Sequence, residues 1–187
     1  MPFQCLGKKT ANNGFKFLIE DHSIFYTNKM SVFNTGEKET AQKANMNSFA
    51  AFGVPDATLS FNIDEVKEIG KILGSDSTVY SDARATESMA KQSLRNKKFI
   101  HFATHGVLNY SSDYSQSYLK LLPDKDTSNG NNGQLTMREI QGLGISDCSM
   151  VILSACQTAV SKALVKGWNI SPANSFLVSN VKTVVAS

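Results

Sequence analysis

Long apolar runs are missing from this 187-residue sequence: no stretch approaches the roughly 18 residues of a membrane span, and no charged start leads into an apolar segment. A soluble, cytoplasmic chain without membrane contact is the expectation. Cysteine is scarce and odd in number, with Cys5, Cys148 and Cys156 only, so a disulfide framework is excluded and free thiols are expected. No Cys-x-x-Cys pair is present, which removes a thiol redox protein. Histidine is limited to His22, His101 and His105, without a cluster of carboxylates beside them, so neither a metal centre nor a cofactor is expected. Charge of one sign is also lacking. The 19 Lys and Arg exceed the 16 Asp and Glu by three and are scattered apart from pairs such as Lys8-Lys9 and Lys97-Lys98, so nucleic acid is not an expected partner. No internal repeat is visible.

What is present is the balance of a globular chain, 41% hydrophobic and 19% charged, at a length that predicts about one domain over residues 1–187. Strand-like and helix-like stretches alternate, which implies a parallel sheet. Phe49 to Phe52 reads as a buried strand broken at Gly53 and Pro55. Asn62, with Glu65 three residues on, opens a helix whose Ile63, Val66, Ile69, Ile72 and Leu73 are expected inward. Val79-Tyr80 is a short strand. Thr86 caps the next helix, with Met89, Ala90 and Leu94 inward and Lys91, Arg95 and Lys97 outward. Thr136 to Glu139 matches a capping box, and Ser171-Pro172 starts a helix before a last strand over Val181 to Ala186. In the first part, Ile24 to Tyr26 reads as a strand, Asn28 as a helix cap and Thr35 to Asn47 as a surface loop.

Two runs stand out. Phe99 to Ala103 ends in Thr104-His105-Gly106, and Met150 to Leu153 ends in Ser154-Ala155-Cys156. Two buried parallel strands would bring a histidine and a cysteine to the same carboxyl edge of a sheet, where open α/β folds place their ligands. A free thiol is mostly protonated at neutral pH, and only the thiolate attacks an amide carbonyl readily. An imidazole nearby can take that proton and return it to the departing amine, so Cys156 is the candidate nucleophile and His105 the candidate acid/base. Taken singly, each has a plainer role: Cys156 as a small buried hydrophobe, His105 as a satisfied loop histidine. No third residue is assigned, because a backbone carbonyl could orient the imidazole equally well. His101 is read as a core residue and Cys148 as structural. Asp113 and Trp168 lie in loops near the expected cleft and are weak candidates for substrate contact, and the loops Asn109 to Gln116 and Gly167 to Ser171 for its rims.

The order of strand, His-Gly, long insertion, strand and Ala-Cys resembles the caspase and separase group of cysteine peptidases, and more closely the CHAT domain, a caspase-like module often found beside tetratricopeptide repeats. The resemblance rests on Pro2-Phe3, Leu18-Ile19-Glu20-Asp21, Phe52-Gly53-Val54-Pro55, Ala85-Thr86-Glu87, His101 to Gly106, Gly133 to Thr136 with Glu139-Ile140, Leu153 to Thr158, and Val184 to Ser187. After the cysteine the pattern departs, with Lys166-Gly167-Trp168-Asn169 where the family usually has a Gly-rich loop with acidic residues. The resemblance implies an α/β fold, a caspase-like, mostly parallel sheet flanked by helices on both faces, trimmed at each end of this chain. It also implies a cysteine endopeptidase acting on a protein or peptide substrate, an oxyanion hole from the Gly106 and Cys156 amides, and control by a tetratricopeptide-repeat or other sensing region. The rival expectation is a catalytically silent interaction module on the same fold.

Overall fold

The computed structural model describes residues 6–9, 14–22, 48–109, 113–145, 147–155, 162–163 and 169–186. The strand expected at Ile24 to Tyr26, the helix cap at Asn28, the loop from Thr35 to Asn47 and the Pro2-Phe3 motif lie outside the described residues. The chain divides into two compact units, residues 1–42 and 43–187. In the first, β1 (Gly7–Lys9) pairs antiparallel with β2 (Phe15–Phe17), and α1 (Leu18–Asp21) follows directly. Phe15 and Phe17 stand on one side of β2 and meet edge to face at 5.0 Å.

The second unit runs β3 (Phe49–Gly53), α2 (Asn62–Leu73), β4 (Ser77–Tyr80), α3 (Glu87–Asn96), β5 (Phe99–Ala103), β6 (Gly106–Val107), β7 (Tyr118–Lys120), β8 (Gln134–Thr136), α4 (Met137–Gly142), β9 (Met150–Ser154), β10 (Lys162–Ala163), β11 (Asn169–Ile170), α5 (Pro172–Val178) and β12 (Thr183–Ala186). Among the described residues, β12, β9, β5, β3 and β4 form, in that order, one sheet with every pair parallel. The insertion between β5 and β9 makes an antiparallel sheet of its own, β6-β7-β8. The fold class is α/β, as the alternation of elements predicts.

Strand residues alternate between two apolar layers. Ala50, Phe52, Ile100, Phe102, Val151 and Leu153 share one buried cluster with Ala90 and Leu94 of α3, Ile140 of α4 and Phe176 of α5. An aromatic series crosses this layer, Tyr80 on Phe52 at 4.6 Å, Phe52 on Phe102 at 5.3 Å and Phe102 on Phe176 at 6.2 Å. On the opposite layer Ala51 and Ala103 pack with Val66 of α2. Helices therefore cover both faces, and the strands read as near-continuous apolar runs for that reason. Gly53 lets α2 come close: a Cβ there would stand 2.6 Å from Val66 Cγ2 and 3.0 Å from the Asn62 carbonyl oxygen.

Local signals set the starts of three helices. Thr86 Oγ1 accepts from Met89 N, Thr136 and Glu139 close a reciprocal capping box, and Ser171 Oγ accepts from Asn174 N ahead of Pro172. The start of α2 differs from expectation. Phe61 occupies the cap position, and Asn62 turns its amide to backbone carbonyls at the strand tips instead. Val66 is fully buried whereas Ile72 is 82% exposed. At about 100° per residue Leu73 falls within about 20° of Val66 but Ile72 about 120° away, so the buried stripe follows Val66 and leaves Ile72 outside.

Lys91 is also a correction, because it points inward. Its ammonium lies 2.6 Å from Glu87 and 2.8 Å from Glu139, under the insertion. Glu87 is fully buried, and burial raises its pKa; its Oε2 accepts from Gly133 N at 2.8 Å. Gly133 has φ +90°, and a Cβ there would meet the Leu121 carbonyl oxygen at 2.8 Å, so glycine is required at this turn.

Phe102→Ala should cost about 3–5 kcal/mol of unfolding free energy and Ile72→Ala no more than about 0.5, as read by urea denaturation; a large loss at Ile72 would mean that α2 is rotated from this phase. A pH dependence follows from His101, whose pKa is lowered by burial against the opposing pull of Glu65. A histidine depressed in the folded state stays neutral there while the unfolded chain protonates, so its contribution is intact above about pH 6.5 and is lost as the pH falls below it. The urea midpoint of the parent should therefore drop more steeply between pH 7.5 and 5.5 than that of His101→Gln, and equal slopes would contradict the assignment.

Candidate active site

The site starts from a register. Ala103 at the end of β5 lies directly opposite Ser154 at the end of β9, and Thr104 N donates to the Ser154 carbonyl at 3.3 Å. His105 therefore stands two residues beyond one member of an aligned pair, and Cys156 follows the other by two positions in the sequence. Cys156 and Trp168 lie outside the described residues. His105 is partly exposed, with 28% of its side chain open, at the carboxyl edge of the sheet.

The loop after β3 reaches this edge too. Asp56 Oδ1 accepts from both the backbone N–H of Thr58 at 2.9 Å and its hydroxyl at 2.6 Å, a local turn that an Asp two residues ahead of a Thr favours. Thr58 Oγ1 lies 2.7 Å from His105 Nε2, and Asp56 Oδ2 lies 3.7 Å from the same nitrogen. Lys120 of β7 places its ammonium 2.6 Å from Asp56 Oδ2. The Lys120 ammonium, together with the hydroxyl and amide of Thr58, holds Asp56 well below the usual carboxylate range, so it is an anion at neutral pH. The backbone of Lys120 fixes His105 as well: its N–H donates to the His105 carbonyl at 2.9 Å, and its carbonyl accepts from Thr104 Oγ1.

The strand tips are held from below by the first turn of α2. Asn62 Nδ2 donates to the carbonyls of Val54 at 2.6 Å and Ala103 at 3.2 Å, joining the ends of β3 and β5. Glu65 takes the next pair, with Oε1 2.8 Å from His101 Nε2 and Oε2 accepting from Ser154 Oγ at 3.2 Å. A buried polar group left without a partner costs about 1–3 kcal/mol, so these bonds favour one relative placement of the three tips.

Gly106 opens β6 half-buried, opposite Leu119 of β7. Asp113 is engaged within its own turn: it accepts from Ser115 N and pairs with Arg138 at 3.0 Å. The rest of the Asn109 to Gln116 loop is described at residues 109 and 113–116. Cys148 is buried, and burial pushes its thiol up to about 11, so it is an inert packing residue and no rival nucleophile. Among the described residues, no group of three or more His, Cys, Asp or Glu side chains could hold a metal ion. Nor is any helix among them long and apolar enough to cross a membrane. Sequence reasoning missed Asp56, Thr58, Lys120, Asn62 and Glu65. The Asp56-Ala57-Thr58 turn is legible as a turn, but nothing local pairs it with a histidine 47 residues later.

No curated protein matches the chain. A family model for the CHAT domain matches residues 1–187, the whole chain. That match over the whole chain, on a parallel sheet in which β5 and β9 run in register, settles the family: the chain belongs to the CHAT domain family of caspase-like peptidases.

Proposed function

We propose that this chain is a cysteine endopeptidase that cuts a protein substrate with Cys156 as nucleophile and His105 as acid/base. The observation that carries this reading is the register of β5 with β9, in which Ala103 and Ser154 are partners and each is followed, two positions later, by one member of the pair. His105 takes the thiol proton as Cys156 sulfur bonds to the scissile carbonyl carbon, and returns that proton to the amine that leaves. Water, activated by the same imidazole, then cleaves the acyl thioester and regenerates the thiol. The Gly106 and Cys156 amides are the donors proposed for the oxyanion, and Gly106 lacks the Cβ that would keep substrate away from its backbone. The substrate is a polypeptide, contacted at the rims formed by the loops that contain Asp113 and Trp168. Cytoplasmic action, under an attached or partner sensing region such as tetratricopeptide repeats, belongs to the same reading.

Cleavage of a peptide library by the purified chain, read by mass spectrometry, tests it. Cys156→Ala and His105→Ala should each lower the rate by about 10³-fold or more, with the double variant scarcely slower than either, because the two act as a unit. Undiminished cleavage by Cys156→Ala would remove the proposal. A parent chain that neither cleaves nor is labelled at Cys156 by a peptidyl electrophile would identify a silent interaction module instead.

A further inference from the structure

The arrangement around His105 goes beyond a two-residue catalytic group. We propose that Asp56 and Thr58 are positioning residues for His105: Thr58 Oγ1 accepts from the Nε2–H of the imidazole, Asp56 anchors that hydroxyl, and Nδ1 is left unprotonated as the base. The role assigned to Nδ1 rests on the peptidase reading above, whereas the tautomer rests on the geometry around Thr58 and the charge of Asp56.

Counting protons decides the tautomer. Thr58 has one hydroxyl hydrogen and two neighbours for it, Asp56 Oδ1 at 2.6 Å and His105 Nε2 at 2.7 Å. Asp56 is ionised, held by the ammonium of Lys120 at 2.6 Å, and an ionised carboxylate only accepts. Were the hydroxyl hydrogen aimed at Nε2, two oxygens 2.6 Å apart would face each other with no hydrogen between them. The hydrogen therefore goes to Asp56, and the lone pair of Oγ1 receives Nε2–H. A proton taken up later at Nδ1 makes an imidazolium whose Nε2–H strengthens its bond to Thr58, and the chain of bonds to the carboxylate is polarised in the same sense. Lys120 fixes both ends of the arrangement, with its ammonium on Asp56 and its backbone N–H on the His105 carbonyl. Among the described residues, the side chains of His101 and Glu65 bond to each other and to Ser154 and not to Thr58 or Asp56, so they stand apart from this chain of bonds.

The test uses the full chain and iodoacetamide, whose methylene carbon bonds to the Cys156 sulfur as iodide leaves and the thiol proton passes to His105. Alkylation at pH 7 is followed at the Cys156 peptide by mass spectrometry, with Cys148 in the same digest as an internal reference. Thr58→Val and Asp56→Asn should each slow Cys156 alkylation by about 10- to 100-fold, the scale of a misplaced catalytic group, while Thr58→Ser, which keeps the hydroxyl, restores most of the rate. Melting curves that match the parent's show that the loss is not one of folding, and Asp56→Asn serves if Thr58→Val fails to fold. Long-range proton-nitrogen NMR of the parent at alkaline pH should show His105 protonated at Nε2. An Nδ1-protonated His105, or unchanged rates in both variants while His105→Ala is slow, overturns the proposal and leaves the dyad standing. A Cys156 rate insensitive to His105→Ala instead removes the peptidase reading, and the NMR result then decides the tautomer alone.

Discussion

The first turn of the helix Asn62–Leu73 holds the ends of three strands together, and the edge of the sheet depends on it. One amide, from Asn62, donates to two carbonyls on neighbouring strands, and one carboxylate, from Glu65, bridges a histidine and a serine on the next pair. Backbone carbonyls at strand ends have no ladder partner beyond the last residue, and leaving them buried and unpaired is costly. Satisfying them from a helix start fixes how far each strand extends and so where its following residue begins. Gly53 makes the approach possible, since any side chain there would collide with the same turn.

A second constraint comes from the insertion between the two site strands. Its sheet Gly106–Val107, Tyr118–Lys120 and Gln134–Thr136 is tied to the main body at Lys120, at the buried Glu87 and through Leu122, whose N–H donates to the Ala85 carbonyl and whose carbonyl accepts from Glu87 N. Burying Glu87 with Lys91 is a weak source of stability, because removing two charges from water offsets most of their attraction. Its effect is placement. The carboxylate takes the N–H of Gly133, at a turn of the insertion where a Cβ would strike backbone, and so sets the insertion over α3. From there Lys120 reaches Asp56 and the backbone of His105, and the insertion becomes the wall of the site.

Interactions between neighbours in the chain were open to sequence reasoning. The caps at Thr86, Thr136 and Ser171, the buried strands at Phe49, Phe99 and Met150, and the presence of histidine and cysteine after two of those strands all follow from residues within a few positions of one another. Parallel pairing followed from alternation of strands and helices, and the motif order pointed to the CHAT family. Where two local rules competed, sequence reasoning chose wrongly. Asn62 with Glu65 satisfies a capping-box pattern, yet both side chains serve strand tips, because buried carbonyls and a buried histidine gain more from them than a solvated helix start does. Lys91 reads as outward by spacing, yet two carboxylates from elsewhere in the fold draw it in.

By itself, then, the sequence determined the α/β class, the strands of the parallel sheet and three of the helix starts, and it singled out His105 and Cys156 as candidates, all of which depend on periodicity and order along the chain. Only tertiary structure decided the exact opposition of Ala103 to Ser154, the phase of α2 about Val66, and the meeting of Asp56, Thr58 and Lys120 at His105. Those contacts join residues up to 64 positions apart, as between Asp56 and Lys120, and carry no periodic signal. They exist because a parallel sheet brings distant strand ends to one edge, where polar groups must find partners across the fold.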